Sequence, residues 1–358
     1  MGANNYYLAF APDAMRRAVI TAAKSIGLNV LRAPAFLDCG IAGPDEVPDG
    51  AWRGVYFQYW NLKTGRPELN VGENGLARLD ILIADAEQAG MRLILPLVNY
   101  WNDFGGMDRY VAWFGGRSRA DFYRSPDSRA AYRSYVSQIL ERTNTVTGRR
   151  YIDEPAILAW ELANEPRCET GDGIRVFLDW VREMSRWIKQ KDPNHLVAVG
   201  DEGFFANGST ELYNGIYGVD CEAILQIADI DFGTFHMYPQ AWKQTDGIGF
   251  GFRWIEDHLL AGRKAGKPMI LEEYGMTVGG KEGLASATER DSIYRKWLSS
   301  IYEEGGAGDL AWMIASTDEE TGEPYENYDR FTFYADVDVP SICAHAVDMN
   351  AGTGNPEA

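Results

Sequence analysis

Two acidic dipeptides, each reached at the end of a short apolar run, are the residues here best suited to chemistry. Leu158-Ala159-Trp160-Glu161-Leu162-Ala163 breaks at Asn164-Glu165-Pro166-Arg167, and Pro268-Met269-Ile270-Leu271 breaks at Glu272-Glu273-Tyr274-Gly275. Carboxylates at the tips of two buried strands are held in place and can face each other, so one can serve as general acid/base and the other as nucleophile. In retaining glycoside hydrolysis such a pair stands about 5–5.5 Å apart. Phe235-His236-Met237-Tyr238-Pro239 adds an imidazole and a phenol at a third strand tip. Donors of that kind hold a nucleophilic carboxylate ionised, while its partner must be kept protonated by a drier setting or by like charge. Arg32 offers a fixed positive charge, and Trp312 a flat ring on which a sugar can stack. Taken singly, each has an ordinary reading: a strand stop with a solvated acid, a charged loop, a satisfied structural histidine, a core tryptophan. Their joint placement at strand ends is what points to chemistry.

To bring these tips together the chain must build a particular scaffold. Short β-rich apolar runs alternate with amphipathic stretches of helical length, the pattern of a parallel sheet covered by helices. Strands are predicted at Asn5–Leu8, Leu28–Ala33, Arg92–Val98, Ile157–Leu162, Leu196–Gly200, Asp231–His236, Met269–Glu273 and Leu310–Ile314, with helices at about 12–26, 74–89, 127–144, 173–190, 218–228, 250–265, 286–304 and 339–349. This is an α/β chain of the (β/α)8 TIM-barrel type. Its helix-to-strand returns are mostly tight and carry Gly, Pro or Asn stops, as at Ile26-Gly27, Ala89-Gly90, Asp192-Pro193-Asn194 and Ala265-Gly266-Lys267-Pro268. The strand-to-helix segments 34–72, 99–126, 201–217 and 315–338 are long. In a barrel they all emerge on the C-terminal face, so the surplus chain forms a substrate cleft around one mouth, with strands four and seven facing each other across it. Thr143 to Pro155 is the one return that breaks the rule. With no repeat, linker or composition step, residues 1–349 read as a single catalytic domain and 350–358 as a short tail.

The 358 residues are 46% hydrophobic and 24% charged, which suits a globular chain with a substantial core. Thirty-four basic against 52 acidic residues leave a net charge of −18, and no Lys/Arg run interrupts it, so nucleic acid and anionic membrane surfaces are poor partners. No stretch reaches the roughly 18–20 continuous apolar residues of a membrane span. The N-terminus lacks the basic-then-apolar pattern of a leader. The expectation is a secreted monomer whose leader is absent from this chain, with a cytoplasmic location as the alternative. Cys39, Cys168, Cys221 and Cys343 form no C-x-x-C and allow three full pairings, and the scattered histidines form no metal motif, so neither metal nor cofactor is expected. Aromatics reach 13%, with 11 Trp and 19 Tyr, which leaves rings for a sugar-binding wall beyond those the core takes.

At these residues the chain resembles glycoside hydrolase family 5, and within it the endo-β-1,4-mannanases of plants and fungi. The resemblance covers most of the chain: Trp160 to Cys168, Leu97-Val98-Asn99-Tyr100-Trp101-Asn102-Asp103-Phe104-Gly105-Gly106, Asn144 to Tyr151, His195 to Phe204 and Asp231 to Trp242. It implies Glu165 as general acid/base and Glu273 as nucleophile, with Glu272 a structural neighbour. It also implies Asn164 at the 2-hydroxyl side of the reacting sugar, Arg32, His236 and Tyr238 orienting the nucleophile, and Trp312 as platform. Trp101, Arg167, Glu202 and Trp242 would line neighbouring subsites on a β-mannan or manno-oligosaccharide. The chain departs from the family at Ala33-Pro34, where an aromatic is usual, and in the loop from Leu37 to Asn70, which bears on the sugars bound before the cut. A β-1,4-glucanase, an exo-acting β-mannosidase and a non-catalytic carbohydrate-binding protein are the rival readings.

Overall fold

The computed structural model describes residues 1–40, 54–281, 283–318, 320–325, 329–335, 337 and 339–352. The apolar runs become eight parallel strands, β1 (Gly2–Asn4), β2 (Val30–Arg32), β3 (Arg92–Pro96), β4 (Ile157–Glu161), β5 (Leu196–Ala198), β6 (Gly233–Met237), β7 (Met269–Tyr274) and β8 (Gly308–Ala311). They are hydrogen-bonded in the order β5-β4-β3-β2-β1-β8-β7-β6. Backbone bonds from Asp231 N to Val197 O, 2.8 Å, and from His236 N to Glu202 O, 3.2 Å, tie the two ends of that sheet into a nearly closed barrel. Side chains alternate along the strands. Ile94, Ala159, Ala198, Phe232 and Leu310 pack with one another as an inner layer, whereas Leu93, Leu95, Trp160, Val197 and Leu271 join the larger core under the helices.

Each strand is followed by its helix: α1 (Asp13–Ser25), α2 (Leu76–Ala89), α3 (Pro126–Leu140), α4 (Gly173–Lys191), α5 (Cys221–Leu225), α6 (Gly247–Ala265), α7 (Ala287–Glu303) and α8 (Pro340–Gly352). Gly90 and Gly266 end α2 and α6 in the left-handed region, which lets the chain turn straight back into the next strand. The long segments after β2 and β3 carry structure of their own, an antiparallel hairpin of Gln58–Asn61 with Arg66–Leu69 and short helices at Gly106–Trp113 and Ala120–Arg124. Residues 41–53 of the unusual loop and 353–358 of the expected tail lie outside the described residues.

The first strand is not where the apolar run predicts it. It is Gly2–Asn4, and Asn5–Leu8 belongs to the turn that follows. A Cβ at position 2 would stand 2.4 Å from Val30 O, so glycine lets β1 lie against β2. Asn4 Nδ2 donates to the carbonyls of Glu272 and Leu310, and Asn5 Nδ2 to that of Ile314, while Asn5 Oδ1 accepts from Tyr7 N at 3.0 Å. The asparagines therefore end the strand and turn Tyr6 and Tyr7 into the mouth. β8 likewise lies earlier than Leu310–Ile314; Ile314–Ala315 pairs instead with Phe333–Tyr334.

The long return from Thr143 to Pro155 wraps onto Asp80, which α2 buries completely. Arg142 meets its carboxylate with two nitrogens at 2.8 and 2.6 Å, joined by Tyr151 OH at 2.6 Å and Thr145 Oγ1 at 2.7 Å. Burial pushes Asp80 upward, but these bonds outweigh it and hold the carboxyl below its usual range. Replacing Asp80 with Ala strands Arg142 without its countercharge and is expected to cost about 3 kcal/mol, read as a lowered midpoint in urea at pH 7. Because the folded pKa lies below the unfolded one, that stability is complete above the unfolded value and lost as pH falls through the folded one. The gap between wild type and variant should therefore begin to close below about pH 3.9; a gap that did not shrink on further acidification would contradict the assignment.

Candidate active site

Arg32, the last residue of β2, is 4% exposed and stands among three acids. Its Nε lies 2.8 Å from Glu161 and 3.5 Å from Glu272, its Nη1 lies 2.5 Å from Glu273, and its Nη2 donates to Asn164 Oδ1 at 2.8 Å. Burial opposes the guanidinium charge, and the three carboxylates more than restore it. Two consecutive acids of one strand ordinarily point to opposite faces. In β7 the ladder slips here, Phe235 pairing with Leu271 but His236 with Glu273, and the irregularity lets Glu272 and Glu273 both reach the same cation. Burial lifts Glu161 well above the carboxylate range, while Arg32, Glu161 and His236 hold Glu272 down at about 2 against its own burial.

Asn164 and Glu165 follow β4 while still bonded to both neighbouring strands, Asn164 N to Val98 O at 2.7 Å and Glu165 N to Gly200 O at 2.8 Å. Glu165 takes φ 48°, an uncommon value for a side-chain-bearing residue. Its two oxygens accept from Trp101 Nε1 at 2.5 Å and meet His236 Nδ1 at 2.7 Å. Glu273 receives Arg32 on one oxygen and Tyr238 OH, at 2.7 Å, on the other. Carboxylate oxygens of Glu165 and Glu273 and a ring nitrogen of His236 all lie within 4.8 Å of one another. These atoms are already engaged by hydrogen-bond partners, with the Arg32 charge beside them, so the donor set does not suit a divalent cation.

His236 stands between the two carboxylates: its Nδ1 lies 2.7 Å from Glu165 and 3.6 Å from Glu273, and its Nε2 reaches Glu272 at 3.3 Å. The ring is fully buried between strand tips and spans the two acids its two nitrogens can reach. Burial works against its charge, but Glu273, Glu165 and Glu272 raise it well above the ordinary imidazole value. Burial likewise opposes Glu165, yet His236 and Trp101 hold it below the usual range. Glu273 is pushed up by burial and by the Glu165 charge, against His236, Arg32 and Tyr238.

Around this cluster opens a cleft of ≈ 980 Å³. The segments after β4, β5 and β6 form one flank with Arg167, Glu202, Tyr217 and Trp242; those after β1, β3 and β8 form the other with Tyr6, Phe10, Phe104 and Trp312. Arg167 forks onto Glu202 at 2.6 and 2.7 Å and lies over the rings of Trp101, Phe204 and Tyr217 at 5.0, 5.1 and 4.4 Å. Burial and the charge of Glu165 push Glu202 up to about 8, against that fork. Trp242 packs between Phe204 and Tyr238. On the other flank Trp312, Tyr6 and Phe104 stack in sequence, at 6.3 Å and 21° and then 5.6 Å and 30°. All the residues singled out from the sequence, Arg32, Trp101, Asn164, Glu165, Arg167, Glu202, His236, Tyr238, Trp242, Glu273 and Trp312, are thus gathered at one mouth. The sequence reading missed Asn4, which accepts from Arg32 at 3.2 Å, Asn99, which accepts from Asn164 at 3.0 Å, and the ring of Tyr6. The polar pair Asn4-Asn5 inside a supposedly buried strand was the available signal for Asn4 and Tyr6.

Comparison with known proteins agrees with this architecture. Residues 69–315 match the family described as GH family 5 β-mannosidase-like. A probable mannan endo-1,4-β-mannosidase A-1 of Aspergillus terreus is 36% identical over 96% of this chain and 84% of its own length. Mannan endo-1,4-β-mannosidase A of Podospora anserina is 38% identical over 93% of this chain and 82% of its own. Among solved structures, the endo-1,4-β-mannanase of Rhizomucor miehei superposes with a TM-score of 0.86 at 37% identity, covering 98% of this chain and 94% of that one. The chain belongs to glycoside hydrolase family 5, on its β-mannosidase-like branch.

Proposed function

We propose that this protein is a retaining endo-β-1,4-mannanase. The observation that carries the reading is the pair of carboxylates, Glu165 and Glu273, with oxygens within 4.8 Å in a cleft lined by aromatic and polar side chains. That spacing suits direct attack and leaves no room for a water between acid and sugar, as inversion needs. The endo mode is supported by the relatives named mannan endo-1,4-β-mannosidase. Glu273 attacks the anomeric carbon while Glu165 protonates the departing oxygen, and Glu165 then takes a proton from the water that releases the sugar. Asn164, fixed by Arg32 and Asn99, faces the 2-hydroxyl side, Trp312 supports the reacting ring, and Trp101, Arg167, Glu202 and Trp242 line the leaving side. A polymeric mannan does not cross a membrane, which supports action outside the cell.

Glu165 stands 2.7 Å from His236 Nδ1, so the two groups can share the proton that the leaving oxygen needs. Glu165 and His236 carry zero net charge together whether they share that proton as an ion pair or as a neutral acid and a neutral ring. Moving it onto Glu165 therefore leaves the balance at Glu273 to Arg32 and Tyr238, which keep it ionised for attack.

Four outcomes are expected. Glu273→Ala should lose at least about three orders of magnitude in kcat on linear mannan. Glu165→Ala should lose about 10²- to 10⁴-fold on mannan but far less in the glycosylation step of an aryl β-mannoside whose leaving group needs no proton; equal losses on both substrates would sink the acid/base assignment. Side-by-side digestion of mannan, galactomannan, glucomannan and carboxymethylcellulose should give rapid viscosity loss and mixed short oligosaccharides from the mannans alone, whereas steady release of one small sugar would mark an exo enzyme. The pH profile of kcat/KM should be a bell. Its acidic limb reports the raised Glu273 and falls above the ordinary carboxylate value of about 4.3; its alkaline limb reports loss of the Glu165–His236 proton. His236→Asn should move the alkaline limb down while leaving the acidic limb a limb, and an unmoved alkaline limb would place that proton elsewhere.

A further inference from the structure

The ring of Trp312 is not held by packing alone. Its Nε1 donates to Asp329 Oδ2 at 2.7 Å, and Asp329 is itself fixed, its Oδ1 accepting from Phe331 N at 2.8 Å and from Thr332 Oγ1 at 3.4 Å. The segment that follows is pinned from behind. Arg290 of α7, 2% exposed, donates to the carbonyls of Phe331 and Thr332 at 2.8 and 3.1 Å, and Phe333 N bonds Met313 O at 3.0 Å. The same segment touches the other side of the reaction centre. Phe331 packs edge-on against Tyr238, the ring that donates to Glu273, with centroids 5.3 Å apart. Asp329 and Phe331 both line the cleft.

From this we infer that Asp329 is a positioning residue: it orients the Trp312 platform from a brace, residues 329–333, that also buttresses Tyr238 and so ties the platform to the nucleophile. An indole on a cleft wall can rotate about two side-chain bonds. A charged acceptor on its N–H, anchored by two donors of its own, selects one orientation before substrate arrives, and such pre-orientation is realised in the rate of the chemical step more than in ground-state binding. The inference rests on the mannanase reading for its kinetic consequence, but the anchor itself can be measured without turnover.

The test pairs kinetics with spectroscopy. On mannohexaose, Asp329→Ala should lower kcat about 10-fold with KM changed less than about two-fold, and Asp329→Asn, which keeps an oxygen for the indole, should recover to within about three-fold of wild type. Trp312→Phe, which keeps a ring but has no N–H, should remove the coupling, so that adding Asp329→Ala to it costs nothing further. Full activity of Asp329→Ala, an Asn variant as impaired as Ala, or a loss that adds to Trp312→Phe would each overturn the proposal. Independently, the Trp312 indole proton, identified by its absence from the ¹H–¹⁵N spectrum of Trp312→Phe, should move upfield and exchange faster in Asp329→Ala; an unmoved resonance would overturn the anchor. If Asp329→Ala fails to fold, Trp312→Phe breaks the same bond from the donor side and should show the same fall in kcat; wild-type kcat there would equally overturn the idea. Were the wild type to hydrolyse no mannan, the functional reading would fall while the indole resonance still decided the anchor.

Discussion

One guanidinium carries the mouth of this barrel. Arg32 neutralises the space between Glu161, Glu272 and Glu273 and donates to Asn4 and Asn164, so five side chains from β1, the tip of β4 and β7 are set by a single planar cation. Taking several carboxylates out of water costs several kcal/mol each unless their charges and lone pairs are met. Arginine suits the task because its rigid fork stays charged under burial and can address several oxygens in different directions at once. Lysine would present a single point charge to the same crowd. The crowding of negative charge shows at Glu161, which burial pushes well above the carboxylate range, while Glu272 is held down by Arg32, Glu161 and His236.

That arrangement demands an irregular strand. Regular β7 pairing would turn Glu272 or Glu273 toward the helices, where neither could be ionised. The slip in register between Phe235 and His236 brings both acids inward, and it does so at the level where the inner apolar layer ends and the polar mouth begins. The barrel is thus graded along its axis: an apolar inner layer fixes the strands, and the buried acids that meet Arg32 gather at the tips. Glu165 with its positive φ and the Asn4-Asn5 strand stop belong to the same level.

His236 joins the two carboxylates of the mouth. It touches Glu165 and Glu272 directly and stands close to Glu273, so a proton gained or lost at one of them is felt by the others. Glu165 faces the ring Nδ1, and Glu273 faces two donors, Arg32 and Tyr238. The aromatic flanks then surround this polar centre, with Arg167 lying on rings to one side and Trp312, Tyr6 and Phe104 stacked on the other.

Much of this was legible from the chain alone. Alternating strand and helix patterns determine the (β/α)8 barrel because each strand must bury two faces and each helix one, and short Gly- and Pro-marked returns leave the surplus chain at one mouth. Asn164-Glu165 and Glu272-Glu273 announced themselves by ending apolar runs. What only the tertiary structure decided are the facts that depend on which neighbours a residue meets. The first strand ends at Asn4 because its amides find the carbonyls of Glu272, Leu310 and Ile314, hundreds of residues away. His236 serves Glu165 because of the reach of its ring across the barrel, and the long return after α3 exists to satisfy Asp80. Asp329, in the long segment after β8, stands out only because folding sets it at the N–H of an indole. Sequence periodicity reports which face a residue turns to the core; it carries no record of the distant partner that completes a buried charge.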